Sequence, residues 1–563
     1  MRNPKKYVLT ATGLLLGSLV LAGCAVSAVP AATSSTSTET TAQTAVVVDA
    51  TLTAEQVLDA NENSTTVNDE EWDASSAIAV DLDSPTAAEG VTVSGDSVTI
   101  TAAGTYALSG DLDGQVVVAA PDDALVALVL DNASISSSTS AAIAVTSADD
   151  VVISLVGNNS VSDTSSYAED ADVNAAIFSE ADLTISGTGS LSVSGNGNDG
   201  ITSEDDLVVL SGSITVDAVD DGLRGKDSLV IKDGEIQVAA GGDALKSDNT
   251  EDATQGYIWI DGGTVDLSAG DDGADAETDL VLTGGSITVQ SQAKGLKGGA
   301  YLVSEGATVQ VSAVDDALHS NGAIHLNLGD LTIDAGDDAV HADVALFVNG
   351  GTLDVQSSNE GLEAPAITIS GGEVQVTSSD DGINASGNAT TTGQGGGMGD
   401  TGELITISGG TVVINAEGDG FDSNGSAVMT GGTLVVNGPT NDGNGALDVN
   451  GTFTVSGGTV LAVGSAGMAV SPSDGSTQSW ISALASGYAG DQVQIVDASG
   501  AVVYEYTAAK QFASVVFTDA ALTDGGTYTV TVNGSAAATV TEGVATAGGM
   551  GGGGGMPGGG GNR

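Results

Sequence analysis

Two acids, a small residue and an apolar residue recur as a block through the middle of this chain at a nearly constant step. The second acid of the block falls at Asp199, Asp221, Asp243, Asp272, Asp316, Asp338, Glu360, Asp381, Asp419 and Asp442, and Lys294 takes one turn of its own. The commonest step is 22 residues. Self-similarity at a fixed period of this size means stacked units, each of which buries its apolar face only against its neighbours. The same period stacks carboxylates on carboxylates, which is unfavourable unless a cation lies among them.

One turn, residues 228–246, shows the unit. Leu229 and Ile231, then Ile236 and Val238, then Leu245 alternate with other residues in three short runs, separated by a Gly corner and an Asp/Gly corner. Neighbouring side chains alternate faces along a strand, so these five point inward. The inward positions are refilled in other turns by Ile258/Ile260, Leu280/Leu282, Ile324/Leu326 and Leu346/Val348. Three strands per turn, always in the same order, predict an all-β fold: a right-handed three-sheet parallel β-helix of about 22 residues per turn. Leucine-rich repeats have a similar period but lack the paired acids. Beyond about Ser471 the pattern changes, and 493–496, 502–504, 515–517 and 527–532 read as antiparallel strands of a small C-terminal cap. Thr53-Ala54-Glu55-Gln56 resembles a capping box and is expected to open a short helix over the first coil. Loops inserted at 249–256 and 387–402 lengthen two of the turns.

The N-terminus has the form of a secretory leader. Arg2, Lys5 and Lys6 precede an apolar run that ends at Leu21-Ala22-Gly23-Cys24, a bacterial lipobox whose only cysteine would become the lipidated terminus. The expected layout is therefore a signal peptide at 1–23, a flexible Ser/Thr-rich tether at 24–50, the β-helix at 51–470, the cap at 471–545 and a disordered Gly-rich tail at 546–563. That order implies secretion and lipid anchoring to the bacterial cell envelope. With 75 acids against 11 bases, a net charge of −64, the chain repels nucleic acid, which is excluded as a partner.

Stacked turns place equivalent residues about 4.8 Å apart, so outward positions form columns. The acidic column comprises Asp220/Asp221, Asp243, Asp271/Asp272, Asp315/Asp316, Asp337/Asp338, Asn359/Glu360, Asp380/Asp381 and Asp419. Hard oxygen ligands from successive turns suit Ca²⁺, although Asp-Gly and Asp-Ala also serve simply as corner residues. Lys294, alone among the acids, is placed to act as a built-in counterion. Three residues further on run Arg224, Lys246, Asp275, Lys297, His319, His341, Glu363, Asn384 and Asp422. Arg224, Lys246 and Lys297 there are either a bed for a carboxylated sugar or rungs of a salt-bridge ladder. His319 and His341 stack as neighbours and offer nitrogen ligands to a transition metal. A third column holds Val208, Val230, Trp259, Val281, Val303, His325, Phe347 and Thr368. Trp259, with Tyr257 on the same face, is either a stacking platform for pyranose rings or a surface covered by another segment.

The lipobox, the Ser-Gly-Gly corners at 370–372 and 408–410 and the repeated Asp-Asp-Gly resemble one known group. So do the stretch Gly104–Gly110 and the Gly/Met-rich tail. The chain is similar over most of residues 75–545 to the bacterial carbohydrate-binding-domain lipoprotein family, whose clostridial member is a cellulose- and pectin-binding, calcium-loaded parallel β-helix similar in fold to pectate lyases. The resemblance implies extracellular binding of an acidic polysaccharide, pectin- or polygalacturonate-like, with Ca²⁺ in the Asp-rich face. Two other functions remain open. One is a calcium-dependent polysaccharide lyase, in which Lys246, Lys297 or Arg224 would be the base that removes a uronate proton. The other is a non-catalytic adhesin or spacer.

Overall fold

The computed structural model describes residues 48–168, 171–387 and 399–546, all within one compact unit. The leader, Cys24, most of the tether, the Gly-rich tail and most of the 387–402 insertion lie outside the described residues.

From Ile78 to Gly464 the chain coils as a parallel β-solenoid with three strand-bearing faces. In the turn beginning at Ser228, the first face is Ser228–Ile231, the second Glu235–Ala240 and the third Leu245–Ser247. Each pairs in parallel with its equivalent one turn on: Leu229 with Ile258, Ile236 with Val265, and Leu245 with Ala274. Tyr301–Ala313 and Ala323–Ala335 run unbroken through the first corner, which joins the first two faces into one 29-stranded sheet. The third face is a separate sheet of 16 strands.

The inward columns fuse into one core that runs from Val80 to Val516. Burial of each Leu, Ile or Val in it contributes roughly 2 kcal/mol. The corners use glycine where the backbones meet: Gly285 has φ 85°, and a Cβ there would lie 2.9 Å from Gly262 O.

The solenoid ends where strand direction reverses. Thr459–Gly464 pairs antiparallel with Phe512–Thr518, which also pairs with Trp480–Gly487. A four-stranded antiparallel sheet of Gln492–Asp497, Val502–Thr507, Thr527–Val532 and Ser535–Thr541 completes the cap. The cap strands Trp480–Gly487 and Ser535–Thr541 are additional to the four expected from the sequence. The cap covers the edge that the last coil would otherwise leave unpaired.

The N-terminal segment departs from expectation. The capping box forms: Thr53 accepts from Gln56 N–H, and the helix spans Ala54–Ala60. The helix does not sit on the first coil, however, but packs on the middle turns at Asp279–Leu282 and Tyr301–Ala313. Residues 50–67 form a strap that runs along the first face toward the start of the solenoid. Asn349 and Asn327 side-chain amides donate to Ala50 O and Leu52 O, both at 2.9 Å. Ala54 N–H then donates to Glu305 Oε2, Asn61 Nδ2 to Asp279 Oδ2, Ser64 N–H to Tyr257 Oη, Thr65 N–H to Asp206 Oδ2, and Val67 N–H to Thr184 Oγ1. The 249–256 insertion props this strap, because Glu62 N–H donates to Thr254 O. The region 51–470 is thus a solenoid from Ile78 onward plus a strap laid over its outside.

Candidate cation-binding column

The acid block turns the corner between the second and third faces. Its second acid is buried at Asp199, Asp221, Asp243, Asp272, Asp316 and Asp338, while Asp220, Asp271, Asp337 and Asp380 are exposed and Asp315 is half-buried. Burial has a local cause. Asp243 N–H donates to Asp221 Oδ1 at 2.9 Å, Asp272 N–H to Asp243 Oδ1 at 3.0 Å, and Lys294 N–H to Asp272 Oδ1 at 2.8 Å. The same bond joins Asp338 to Asp316 and Asp419 to Asp381. One oxygen of Asp221, Asp243, Asp272, Asp316 and Asp381 therefore serves the backbone of the next turn, at a corner that would otherwise leave a buried N–H without a partner. The ladder continues from Asp419 to Gly445, not to Asp442, because Gly445 N–H donates to Asp419 Oδ1. The register agrees: Phe421 pairs with Leu447 and Asp422 with Asp448. Asn441-Asp442-Gly443 copies the block in sequence but lies in a lengthened loop, exposed.

The second oxygen faces the column three residues on, which the register confirms from Arg224 through Lys246, Asp275, Lys297, His319, His341, Glu363 and Asn384 to Asp422. In the earlier turns that oxygen meets a base. Lys246 Nζ lies 2.8 Å from Asp243 Oδ2 and 3.0 Å from Asp221 Oδ2. Lys297 bridges Asp272 and Asp275, and Lys294 bridges Asp315 and Asp316. Burial alone would raise Asp316, but the hydrogen bonds from His319 and Lys294 hold it down at about 2.

In the later turns no base arrives. Among the described residues no ion pair reaches Glu360, Asp380, Asp381, Asp419, Asp422 or Asp448. Burial and mutual repulsion push Asp381 up to about 7, Asp419 to about 6 and Asp422 to about 8. Asn384 lies among them, 9% exposed. Its Nδ2 donates to Glu360 Oε2, and its Oδ1 has no hydrogen-bond donor. A buried acceptor without a donor, in a row of carboxylates without counter-charge, fits a hard cation. Metal-ligating groups also converge at Asp182, Asp205 and Asp206, and at Asp315, Asp316 and Asp337.

The residues expected to hold a sugar are engaged elsewhere. Arg224 is paired with Glu204 at 2.7 Å and Asp248 at 3.0 Å, so the salt-bridge ladder is the arrangement found. All seven Lys and Arg side chains among the described residues lie within ion-pair distance of a carboxylate. Burial alone would lower Lys246 and Lys297, but the flanking aspartates outweigh it and hold both ammonium groups above their ordinary range. Arg224 is likewise raised by Asp248 and Glu204 against burial. The three side chains are thus held protonated and paired, whereas a base that removes a uronate proton needs a lowered pKa. Tyr257 and Trp259 are not open platforms either. Tyr257 is 3% exposed under the strap, with its hydroxyl donating to Glu62 O. Trp259, half-buried, packs with Leu58 on the cluster of Val208, Val230 and Tyr257, donates its indole N–H to Thr283 Oγ1 and carries Lys232 Nζ over its ring. The apolar column is therefore covered, and the strap covers it.

The family model for carbohydrate-binding domain-containing proteins matches residues 94–339 and 337–489 of the chain. The chain belongs to that family. A carbohydrate-binding domain-containing protein of Acetivibrio thermocellus is 36% identical over 137 residues, which is 23% of this chain and 48% of the relative. The match thus spans about half the length of that relative. The solved structure of a polysaccharide lyase-like protein from C. thermocellum, a gadolinium derivative, is 34% identical with a TM-score of 0.37, covering 44% of this chain and 96% of the other.

Two groups escaped the sequence reading of metal ligands. Asp422 and Asp448 belong with Asp381 and Asp419, and the repeated Phe-Asp and Leu-Asp pairs at 421–422 and 447–448 are the signal that marks them. Asp182 and Asp206 begin first-face strands one turn apart, in register with Asp150. An acid just before an apolar strand, repeated three times, is their signature.

Proposed function

We propose that this chain is a polysaccharide-binding protein whose contact with an acidic glycan, of pectin or polygalacturonate type, is made through bound Ca²⁺. The observation that carries this reading is the division of charge along the column. The earlier turns neutralise their own carboxylates, whereas the later turns leave Glu360, Asp381, Asp419, Asp422 and Asp448 without a base and Asn384 Oδ1 without a donor. With every described base already paired, a carboxylated sugar meets no free protein cation. An ion held by these oxygens would remove the repulsion within the column and between column and glycan together. Family membership supports the polysaccharide half of the reading. Lipidation at Cys24 would hold the protein at the cell envelope surface.

Affinity electrophoresis through gels containing polygalacturonate or a neutral cellulose derivative, with calcium or with chelator, tests both halves. Retardation by polygalacturonate in calcium alone is the expected result. Retardation indifferent to chelator removes the metal, and passage unhindered by either polymer favours a spacer.

A further inference from the structure

The chain has three histidines, and two of them face each other in the column between its basic and acidic stretches. His319 and His341 are in register on consecutive turns, with ring centroids 5.2 Å apart. Both rings have acceptors at both nitrogens. His319 Nε2 lies 3.0 Å from Asn321 Oδ1, and its Nδ1 lies 2.9 Å from Asp316 Oδ2. His341 Nε2 lies 3.4 Å from Asp343 Oδ1, and its Nδ1 lies 2.7 Å from Asp338 Oδ2 and 3.8 Å from Glu363 Oε2. A neutral imidazole carries one N–H. If Nε2–H donates to Asn321 or Asp343, Nδ1 presents a lone pair to a carboxylate oxygen, and two acceptors face each other. A ring protonated at Nδ1 donates to the carboxylate instead; in the Nε2–H tautomer the two facing acceptors leave a place for a shared metal ion. An outer carbonyl or carboxylate that fixes the tautomer of a ring whose other nitrogen faces further ligands is the arrangement found around metal-bound histidines.

Several other features favour a metal over protons. Ligand atoms of Asp316, His319 and His341 lie within 4.8 Å of one another, as do those of Asp338, His341 and Glu363, so His341 is common to both sets. Asp338, Asp343 and Glu363 converge on the single His341 ring, which leaves two carboxylates in excess. Lys294 offsets only Asp315 and Asp316. His341 and Glu363 also line a cavity of about 330 Å³ with Asp343, Pro365 and Ser386, which leaves an ion there open to an outside ligand.

We propose that His319 and His341, with Asp338, Glu363 and Asp316, form a site for one divalent transition-metal ion of the zinc class. Two imidazole nitrogens distinguish it from the all-oxygen set of the later turns, because imidazole suits Zn²⁺, Co²⁺ or Ni²⁺ whereas Ca²⁺ takes oxygen. Binding displaces the protons shared between ring and carboxylate and joins two turns of the solenoid. The site does not depend on what polysaccharide, if any, the chain binds.

The test uses the full chain, stripped of metal and kept in excess calcium. Zn²⁺ is titrated calorimetrically and Co²⁺ by visible absorption. One equivalent of Zn²⁺ and the appearance of d–d bands on cobalt addition are expected. His319→Lys and His341→Asn are suitable variants, because Lys297 and Asn384 already occupy this column position on nearby turns; circular dichroism checks that the coil is retained. The double variant should lose on the order of 100-fold or more in zinc affinity and all cobalt bands. Asp217→Asn, exposed on the second face and outside the site, should leave both unchanged. Absence of cobalt bands in the parent chain, or equal zinc binding by the folded double variant, overturns the proposal.

Discussion

Replacing Asp243 separates the two duties of the buried acids. Its Oδ1 accepts the Asp272 N–H at 3.0 Å, and its Oδ2 accepts from Lys246 at 2.8 Å. Asp243→Ala orphans an N–H at a residue only 8% exposed, at a cost of about 1–3 kcal/mol. Lys246 keeps Asp221 at 3.0 Å and is 27% exposed, so loss of its second partner adds at most about 1 kcal/mol. The alanine variant should therefore lose about 2–3 kcal/mol. Asp243→Asn keeps the acceptor and should lose less than about 1 kcal/mol.

In a solenoid, stability is close to a sum over neighbouring turns, so the damage should be local. Amide hydrogen exchange resolves it. The Asp272 amide should exchange roughly 30-fold faster in the alanine variant and nearly normally in the asparagine variant, with amides several turns away unchanged. Calcium and chelator should give the same ranking. If alanine and asparagine prove equally damaging, or if both matter only in calcium, the carboxylate is there for a cation and the backbone ladder is not its reason.

Three further outcomes follow from the same geometry. Asp422 and Asp381 titrate near 8 and 7 when folded, against an ordinary value near 3.9. The folded chain therefore binds more protons than the unfolded one across that window, and stability in chelator should fall as pH rises from about 4 to 8. Calcium should flatten this slope, and Asp419→Asn with Asp422→Asn should raise the melting temperature in chelator while abolishing the calcium effect. His325 is buried, stacked on Phe347 at 4.6 Å, with neither ring nitrogen bonded, and burial lowers it to about 4. Its unfolded form binds the extra proton, so it costs stability as pH falls from about 6.5 to 4. His325→Phe should remove that slope and raise stability by about 1 kcal/mol, as a melting series across pH will read. Val57→Asp places a charge under the strap, where Val57 is 3% exposed. Proteolysis should then cut within residues 48–72, and acrylamide should quench Trp259 more strongly, while the circular dichroism of the solenoid is retained.

The three-strand turn, its inward residues and the outward columns were legible in the sequence because each rests on contacts one turn away, and a constant period makes those contacts local in effect. The strap was not legible in the same way. Its capping box is a four-residue signal and was found, but the turn on which the helix docks is set by contacts such as Asn349 to Ala50, 299 residues apart. No periodicity links the two. The apolar column of Trp259, His325 and Phe347 announced that something covers it without saying what. The step after Asp419 failed for a related reason: a loop that repeats the Asx-Asp-Gly wording of the corner competes, in sequence alone, with the true corner at Gly445.

The acid column shows why repetition by itself leaves function undecided. A carboxylate has two oxygens, and at most corners of the column one of them takes a backbone N–H of the next turn, a bond that needs no ion. Asp recurs because its reach matches that bond. Lys294 has no acceptor to offer, Glu360 carries a longer side chain, and the ladder skips the N–H of the turn after each. What varies from turn to turn is the group facing the other oxygen. Arg224, Lys246 and Lys297 stand there with Asp275 among them, then His319 and His341, then acid or amide from Glu363 to Asp448. The backbone bond is made in the basic stretch at Asp243 and in the acidic stretch at Asp381 alike, so it cannot have produced that gradient. Selection for different counter-charges at different turns would: internal ammonium groups first, then nitrogen donors, then, on the reading proposed above, oxygen donors for an external cation. One oxygen of each laddered acid thus belongs to the fold, and the other oxygen, with the residue three positions on, is where the turns differ.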